Sequence, residues 1–339
     1  MRSATLLSDP ALPGLAEALD PEAMTPRLAR LTTLLHGEES AVQKPWRVVE
    51  VEILKHTPGH RCALGYTLDG PGVKRRLFGK VFSGQRGPEI LETMERLAAA
   101  IPRQVLLIPR PVGHLPDLRL LLTEYLDGTP LAPSLYQGTS EAPARRIAAA
   151  LATLHGCEAR FVRRWSAQQE WANTEEWFAR SPLSAAPCSE RVKGLLRMLS
   201  RRAALLPQVS EGPVHRDFYA EQIRDCGGQS ALLDLDDARL GDAALDIGNF
   251  LAHLKLRSLQ FAELARGCER GRPVFLEEYE QRRAGARAAD METLRQRVAF
   301  YEATSLLRLA GVYSRRDRWA DRLPGMLLDS CEAMLDADG

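Results

Sequence analysis

One segment, Val214–Leu254 (VHRDFYAEQIRDCGGQSALLDLDDARLGDAALDIGNFLAHL), restricts what this chain can fold into more than any other. It puts Asp217 in a polar stretch and, seventeen residues on, Asp234 inside an apolar run, Ala231-Leu232-Leu233-Asp234-Leu235. A lone carboxylate among apolar neighbours is costly unless a cation or a partner meets it. A loop followed by a short hairpin and a strand end brings two such acids together, so the segment is expected to fold that way. An amide, Gln222, stands five residues after Asp217. Carboxylate and amide oxygens are the ligands that a hard cation such as magnesium prefers.

His215-Arg216-Asp217 with Gln222 resembles the H-R-D-x-x-x-x-N loop of kinases, in which the aspartate orients the attacking hydroxyl and the amide holds metal. The resemblance widens through Leu233-Asp234-Leu235-Asp236-Asp237, Gly241-Asp242 and Asp246-Ile247-Gly248-Asn249. Together these are similar to the aminoglycoside phosphotransferase/choline kinase-type superfamily, small-molecule kinases with a protein-kinase-like fold. The closing Asp246–Leu254 run resembles the choline kinase and methylthioribose kinase branches. The resemblance implies that Asp217 is the catalytic residue, that Gln222 and Asp234 bind Mg2+, and that Asp242 and Asp246 tie down the catalytic loop. Gln222 replaces the usual Asn, keeping the oxygen on a stem one methylene longer. Arg216 replaces the glycine most common in the superfamily and matches the protein kinases.

Two lobes of unequal size are the natural division of 339 residues. A balance of Lys+Arg 45 against Asp+Glu 44 gives no basic field, which disfavours a nucleic-acid partner. Six cysteines without C-x-x-C spacing suggest neither a zinc site nor a disulfide framework. The first residues carry acids and prolines where a signal peptide has an apolar core, and no apolar run reaches membrane-spanning length. A cytoplasmic protein with no membrane partner is expected; the sequence sets no oligomeric state.

Residues 14–36 have helical periodicity broken at prolines, which predicts short helices. Trp46–Lys55, Arg61–Leu68 and Lys74–Phe82 read as strands, and Val105–Ile108 and Leu118–Tyr125 as two more. Pro88–Ala100 between them reads as an amphipathic helix entered at a Gly-Pro pair. Helices are then expected at Ala142–Leu154, Trp171–Arg180, Glu190–Leu206, Asp246–Arg257, Phe275–Arg287 and Asp290–Val312. Arg-rich Leu294–Arg308 suggests a solvated face over an apolar stripe. Strands first and helices after make an α+β, bilobal chain. The expected divisions are a helical extension over 1–45, an N-lobe with a small antiparallel sheet and one main helix over 46–126, and a larger helical C-lobe over 127–339.

Lys80 is a lone cation in the apolar strand Leu77–Phe82. Under the resemblance it reaches the α- and β-phosphates of ATP, braced by Glu89 or, second, by Glu92 one turn on. Leu120–Gly128 resembles the family's linker, whose backbone near Glu124 and Leu126 would bind adenine; a plain core strand ending in an Asp-Gly turn has the same residues. Thr57–His60 could cover the nucleotide with backbone amides, although it has neither a Walker nor a G-x-G-x-x-G pattern. His155 reads as a structural helix-end histidine. Asp236 would share a strand face with Asp234. The sequence thus points to an ATP- and Mg2+-dependent kinase acting on a small-molecule hydroxyl acceptor: an amino alcohol, a sugar or an aminoglycoside-like antibiotic. The alternative is a nucleotide-binding pseudokinase or regulatory module without phosphotransfer.

Overall fold

The computed structural model describes residues 8–32, 46–70, 73–185 and 187–337. The chain divides into two compact units, Met1–Ala99 with Ile108–Asp127, and Ala100–Leu107 with Gly128–Gly339. All six cysteines are free thiols.

The first unit is built on a five-stranded antiparallel sheet of order β1-β2-β3-β5-β4. It begins with α1 (Leu15–Ala18) and α2 (Pro21–Thr32), followed by β1 (Arg47–Thr57), β2 (Arg61–Asp69), β3 (Lys74–Phe82) and α3 (Gly87–Ala100). β4 (Pro111–Leu115) and β5 (Leu120–Glu124) close it. Pro26 does not break α2, because that helix continues through it. The predicted residues 33–36 lie outside the described set, as do Pro71 and Gly72 of the β2–β3 turn.

Leu12, Leu15, Met24 and Leu28 form one core with Leu64, Tyr66, Leu77, Val81, Leu120 and Leu122. Side chains alternate along a strand, so Leu77 and Val81 face the N-terminal helices while Lys80 faces the other way. The buried Tyr66 hydroxyl donates to the Ala18 carbonyl at 2.8 Å. The expected strand Val105–Ile108 is not one. Only Leu107 makes an isolated bridge, to Ala231, and the remaining sheet strand is Pro111–Leu115 instead. The Val105 and Leu106 N–H groups turn back onto the Pro102 carbonyl, and Pro109 follows the segment directly. Leu106 and Ile108 are buried without ladder pairing, whereas Val105 is exposed.

The second unit is mainly helical. After β6 (Thr129–Pro130) come α4 (Ala132–Gln137), α5 (Ala142–Gly156), β7 (Arg164–Trp165), α6 (Ala167–Ala179) and α7 (Ser189–Leu205). Then follow β8 (Gly212–Val214), the hairpin β9 (Ile223–Cys226) and β10 (Gln229–Leu232), and β11 (Arg239–Gly241). α8 (Ala244–Gln260), α9 (Ala262–Arg282), α10 (Ala288–Glu292), α11 (Leu294–Tyr313) and α12 (Leu323–Ala337) complete it. α6 starts four residues before the expected Trp171 because Ser166 and Gln169 form a reciprocal capping box. α9 runs straight through Pro273, well upstream of the expected Phe275.

The solvated face expected for Leu294–Arg308 is overturned. α11 packs against α6, α7, α8 and α12, and its Arg297 is 2% exposed. That guanidinium is spent on Asp242 and the Asp290 carbonyl, the pairing a buried charge requires. Among the described residues no helix is long and apolar enough to cross a membrane.

Candidate active site

The loop between β8 and β9 carries Asp217, and a web of buried hydrogen bonds holds it. Asp246, fully buried near the start of α8, accepts the backbone N–H of His215 at 2.6 Å and that of Arg216 at 2.7 Å. It also takes the His155 Nε2 proton at 2.9 Å, while Nδ1 of the same ring accepts the Tyr279 hydroxyl at 2.8 Å. A carboxylate oxygen facing the ring makes Nε2 its donating nitrogen. His155, read from sequence as a structural helix-end residue, is therefore the brace of the loop's anchor.

His215 does the corresponding work from inside the loop. Its Nδ1 accepts the Asp217 N–H at 3.3 Å, and its Nε2 donates to the Leu233 carbonyl at 2.8 Å. One ring thus links the Asp217 amide to the residue before Asp234. The Leu233 N–H in turn donates to the Gln222 carbonyl at 2.9 Å. Asn249 on α8 donates from Nδ2 to the Phe218 carbonyl at 3.0 Å. The short 3-10 turn Ala220–Gln222 is fixed by Glu221, which accepts from the Tyr136 hydroxyl at 3.0 Å and from Arg257 at 2.6 Å. Gln222 itself is 6% exposed. The hairpin that follows is pinned by the Arg146–Asp225 ion pair at 2.8 Å, which holds the Asp225 carboxyl down at about 2.

Asp234 does not lie in a strand, as its apolar neighbours suggested. β10 ends at Leu232, and Asp234 takes up a left-handed conformation, φ 57°, ψ 55°. Such backbone costs about 1–3 kcal/mol in a non-glycine residue and persists where the surroundings impose it. Asp236 consequently shares no strand face with Asp234: it belongs to the 3-10 turn Leu235–Asp237 and is buried. Arg216 is also left-handed, with φ 71°. This explains in physical terms why a glycine suits that position, since only glycine enters this region freely. Asp242 caps the start of α8 and pairs with Arg297; it does not bond the loop backbone, which is the work of Asp246.

The Asp217 carboxyl is half-buried, and its pKa is raised. Burial is the largest cause, the negative charges of Asp234 and Asp237 add to it, and Arg308 and His215 oppose it. The Asp234 carboxylate is therefore near enough to act on Asp217 as a like charge. Arg308 donates to Asn249 Oδ1 at 2.7 Å and lies 4.0 Å from Glu170, whose Oε2 accepts the Trp165 indole N–H at 2.8 Å. The Arg216 guanidinium stacks 3.4 Å over the Trp165 ring centre and is 4.0 Å from Asp237. His253 stacks on Tyr219 at 4.6 Å, and its pKa is pushed down to about 3 by burial and by Arg308, Arg257 and Arg316. It is neutral.

Asp217, Gln222 and Asp234 are thus gathered in the second unit, while Lys80, Glu89, Glu124 and Leu126 belong to the first. Lys80 is 6% exposed and faces Ala63 and Leu121 in the neighbouring strands. Glu89 is half-buried in the first turn of α3. Glu92, the second candidate brace, is engaged by Arg96 at 2.6 Å on the exposed side. Glu124 ends β5 with its N–H bonded to the Arg110 carbonyl at 2.8 Å. The following residues are held by Arg76, which stacks 3.8 Å from the Tyr125 ring centre and reaches Asp127 at 3.2 Å. In the β1–β2 turn, Gly59 is left-handed, and its N–H donates to Asp9 at 2.9 Å, as does His56 Nε2. Sequence reasoning missed Asp9, Trp165, Glu170 and Arg308; none lies in a motif, and each became visible only through what it touches.

Residues 67–301 match the model of the phosphotransferase enzyme family. The chain belongs to that family. Solved structures of family-like fold align along nearly its whole length. A choline/ethanolamine kinase family protein from Mesorhizobium loti matches with TM-score 0.55 and 18% identity, covering 92% of this chain and 95% of the other. A thermostable mutant of aminoglycoside phosphotransferase APH(4)-Ia, in a ternary complex with AMP-PNP and hygromycin B, matches with TM-score 0.56 and 15% identity over 91% and 97%. Choline kinase LicA from Streptococcus pneumoniae matches with TM-score 0.55 and 15% identity over 93% and 99%. No curated protein sequence matches the chain. At these identities the likeness establishes the α+β, protein-kinase-like fold of this phosphotransferase.

Proposed function

We propose that this phosphotransferase is an ATP- and Mg2+-dependent kinase that moves the γ-phosphoryl group to a hydroxyl of a small molecule in the cytoplasm. The acceptor class is an amino alcohol, a sugar or an aminoglycoside-like antibiotic. The observation that carries this reading is the His215 ring, bonded at once to the Asp217 amide and to the carbonyl preceding Asp234. Such a tie is what a site needs when a hydroxyl-orienting acid and a metal-binding acid must keep fixed spacing. The nucleotide and antibiotic in the APH(4)-Ia complex, and the name of the choline kinase, support the same reaction class.

The donor set fits magnesium, because Asp234 and Gln222 offer only oxygens. Among the described residues no three His, Cys, Asp or Glu side chains form a metal-sized cluster. An ion that keeps water and takes phosphate oxygens besides one or two protein ligands needs none. When bound, the ion would neutralise phosphate charge. Lys80 would bind the α- and β-phosphates with Glu89 bracing it, and backbone groups at Glu124 and Leu126 would take the adenine edge. Asp217 would accept the hydrogen bond of the acceptor hydroxyl and align its oxygen. As the oxygen–phosphorus bond forms and the β–γ bridge breaks, the hydroxyl proton would pass to Asp217.

The test is an ADP-release screen over hydroxylated metabolites and antibiotics, with the phosphorylated product identified by mass. Asp217→Ala is expected to lower kcat by about 10²-fold or more while nucleotide affinity holds. Nucleotide binding that ignores magnesium, together with no ATP hydrolysis at high enzyme concentration, would instead support the sensing module.

A further inference from the structure

We propose that a second pocket, wholly within the helical unit, binds a small multiply charged anion of the phosphate class and couples it to the catalytic loop. The cavity holds about 180 Å³ and lies at the C-terminal end of α9 and the start of α10. Arg283, Arg287 and Arg297 line it, and His155 and Tyr279 form part of its wall.

The charges there are unevenly matched. Three acids also line the pocket, but Asp242 is paired with Arg297, Glu211 with Arg164, and Asp290 accepts the Ser210 N–H at 3.4 Å. Arg283 and Arg287 have no ion pair among the described residues. Arg283 lies against the end of α5: a Cβ on Gly156 would come 2.8 Å from its Nη1. Arg283 and Arg287, set against the one carboxylate without an ion pair, Asp290, leave net positive charge beside a small cavity, which suits a tetrahedral anion that takes several N–H donors at once.

What makes the pocket more than a basic patch is its wall. Tyr279 donates to His155, His155 donates to Asp246, and Asp246 holds the N–H groups of His215 and Arg216. Tyr279 and Arg283 lie one turn apart at the end of α9. An anion gripping Arg283 and Arg287 fixes that end, and with it the hydroxyl that orients the His155 ring. The loop's anchor is thereby stiffened without any contact to the loop. Coupling of this kind requires the anion to bind the ordered arrangement better than the loosened one.

The probe is inorganic phosphate, titrated calorimetrically into the full-length protein at constant ionic strength with chloride as control. Arg283→Ala combined with Arg287→Ala is expected to weaken phosphate binding by about 10-fold or more, the scale of lost charge-assisted bonds. Lys80→Ala is expected to leave that binding intact. Arg287→Glu, on an exposed side chain, provides the same reading should the double variant unfold. In hydrogen exchange, phosphate should slow the amides of His215 and Arg216 in the wild type, whereas in Tyr279→Phe phosphate should still bind but no longer slow them. Phosphate binding that survives both arginine variants, or that Lys80→Ala abolishes, overturns the site. Unchanged exchange at His215 and Arg216 overturns the coupling. Neither readout uses phosphotransfer, so these results stand apart from the kinase reading.

Discussion

The loop around Asp217 and the turn around Gly59 hold their backbones by opposite means. The first is held by Asp246 and Asn249 of α8, with His155 of α5 behind Asp246, and by its own His215, which reaches the Leu233 carbonyl. The second is a four-residue connection tied by one carboxylate, Asp9, from the segment before α1, and by the Ser83 N–H at the His60 carbonyl, 2.9 Å. Buried polar groups are expensive to misplace, so the first arrangement tolerates little change. The second lies near water and can shift at low cost. Substitutions should therefore act steeply in the loop and gently in the turn.

The sharpest way to break that contrast is at Asp234, the acid proposed to bind metal. Asp234→Asn removes the charge but keeps the shape, and its left-handed backbone suits Asn equally well. Turnover with Mg-ATP is expected to fall about 10²–10³-fold. Calorimetry should show that the magnesium-dependent part of nucleotide binding is lost; equal binding in both proteins would remove Asp234 from the metal site. Next comes the anchor. Asp246→Asn leaves an amide where two backbone N–H groups and the His155 N–H converge on two oxygens. One donor must then face an NH2 group, which should cost about 2–3 kcal/mol in thermal or urea unfolding and lower kcat about 10-fold through the loosened loop. A loss of stability with kcat unchanged would separate the anchor from the chemistry.

The same contrast explains what could be read from the sequence. The loop was legible because its constraints are written as residue types: a buried acid at 246, an aspartate at 217, an amide at 222. The sheet was legible through alternation and the helices through their period, since burial enforces both. Strand Val105–Ile108 failed because its first two N–H groups turn back onto the Pro102 carbonyl, which four apolar letters do not announce. Asp234 was misplaced by two residues because apolar neighbours indicate burial, and burial occurs in turns as well as in strands. Leu294–Arg308 deceived for the converse reason: Arg297 and Arg308 are charged yet bonded inward. Glu170, Trp165 and Arg308 meet only through the tertiary fold, so no spacing could announce them.

A subtler test within the loop uses pH. In the proposed role Asp217 has to be ionised to accept the acceptor's hydrogen bond, and burial raises its pKa while Arg308 lowers it. The acid limb of kcat/KM should accordingly lie above the ordinary aspartate range of about 3.9. Arg308→Leu takes away the opposing cation, so the Asp217 pKa rises further and the limb moves to higher pH. The plateau above the limb should change less than the limb itself. A limb that moves to lower pH, or stays in place, would show that Arg308 does not act on Asp217.

The smallest effect is expected at the turn. Asp9 accepts from the Gly59 N–H and from His56 Nε2, each at 2.9 Å, and from the Ala11 N–H at 3.0 Å. These bonds, that of Gly59 foremost, hold the Asp9 pKa below the usual carboxylate range, so the group is ionised wherever the enzyme would work. The turn has one further internal bond, from the His60 N–H to the Thr57 carbonyl at 3.0 Å. Asp9→Asn keeps the acceptor oxygen for Gly59 but gives up the charge that holds His56, and the turn should sample more conformations. If the turn covers the nucleotide, KM for ATP should rise about two- to fivefold, a fraction of the free energy at stake in the buried loop, with kcat unchanged. His56→Ala should reproduce the effect, because it removes the same bond from the other side. A fall in KM would have a different meaning: the Asp9 carboxylate would then be competing with phosphate for the Gly59 amide, and the turn would be a guarded site rather than a loosely held cover.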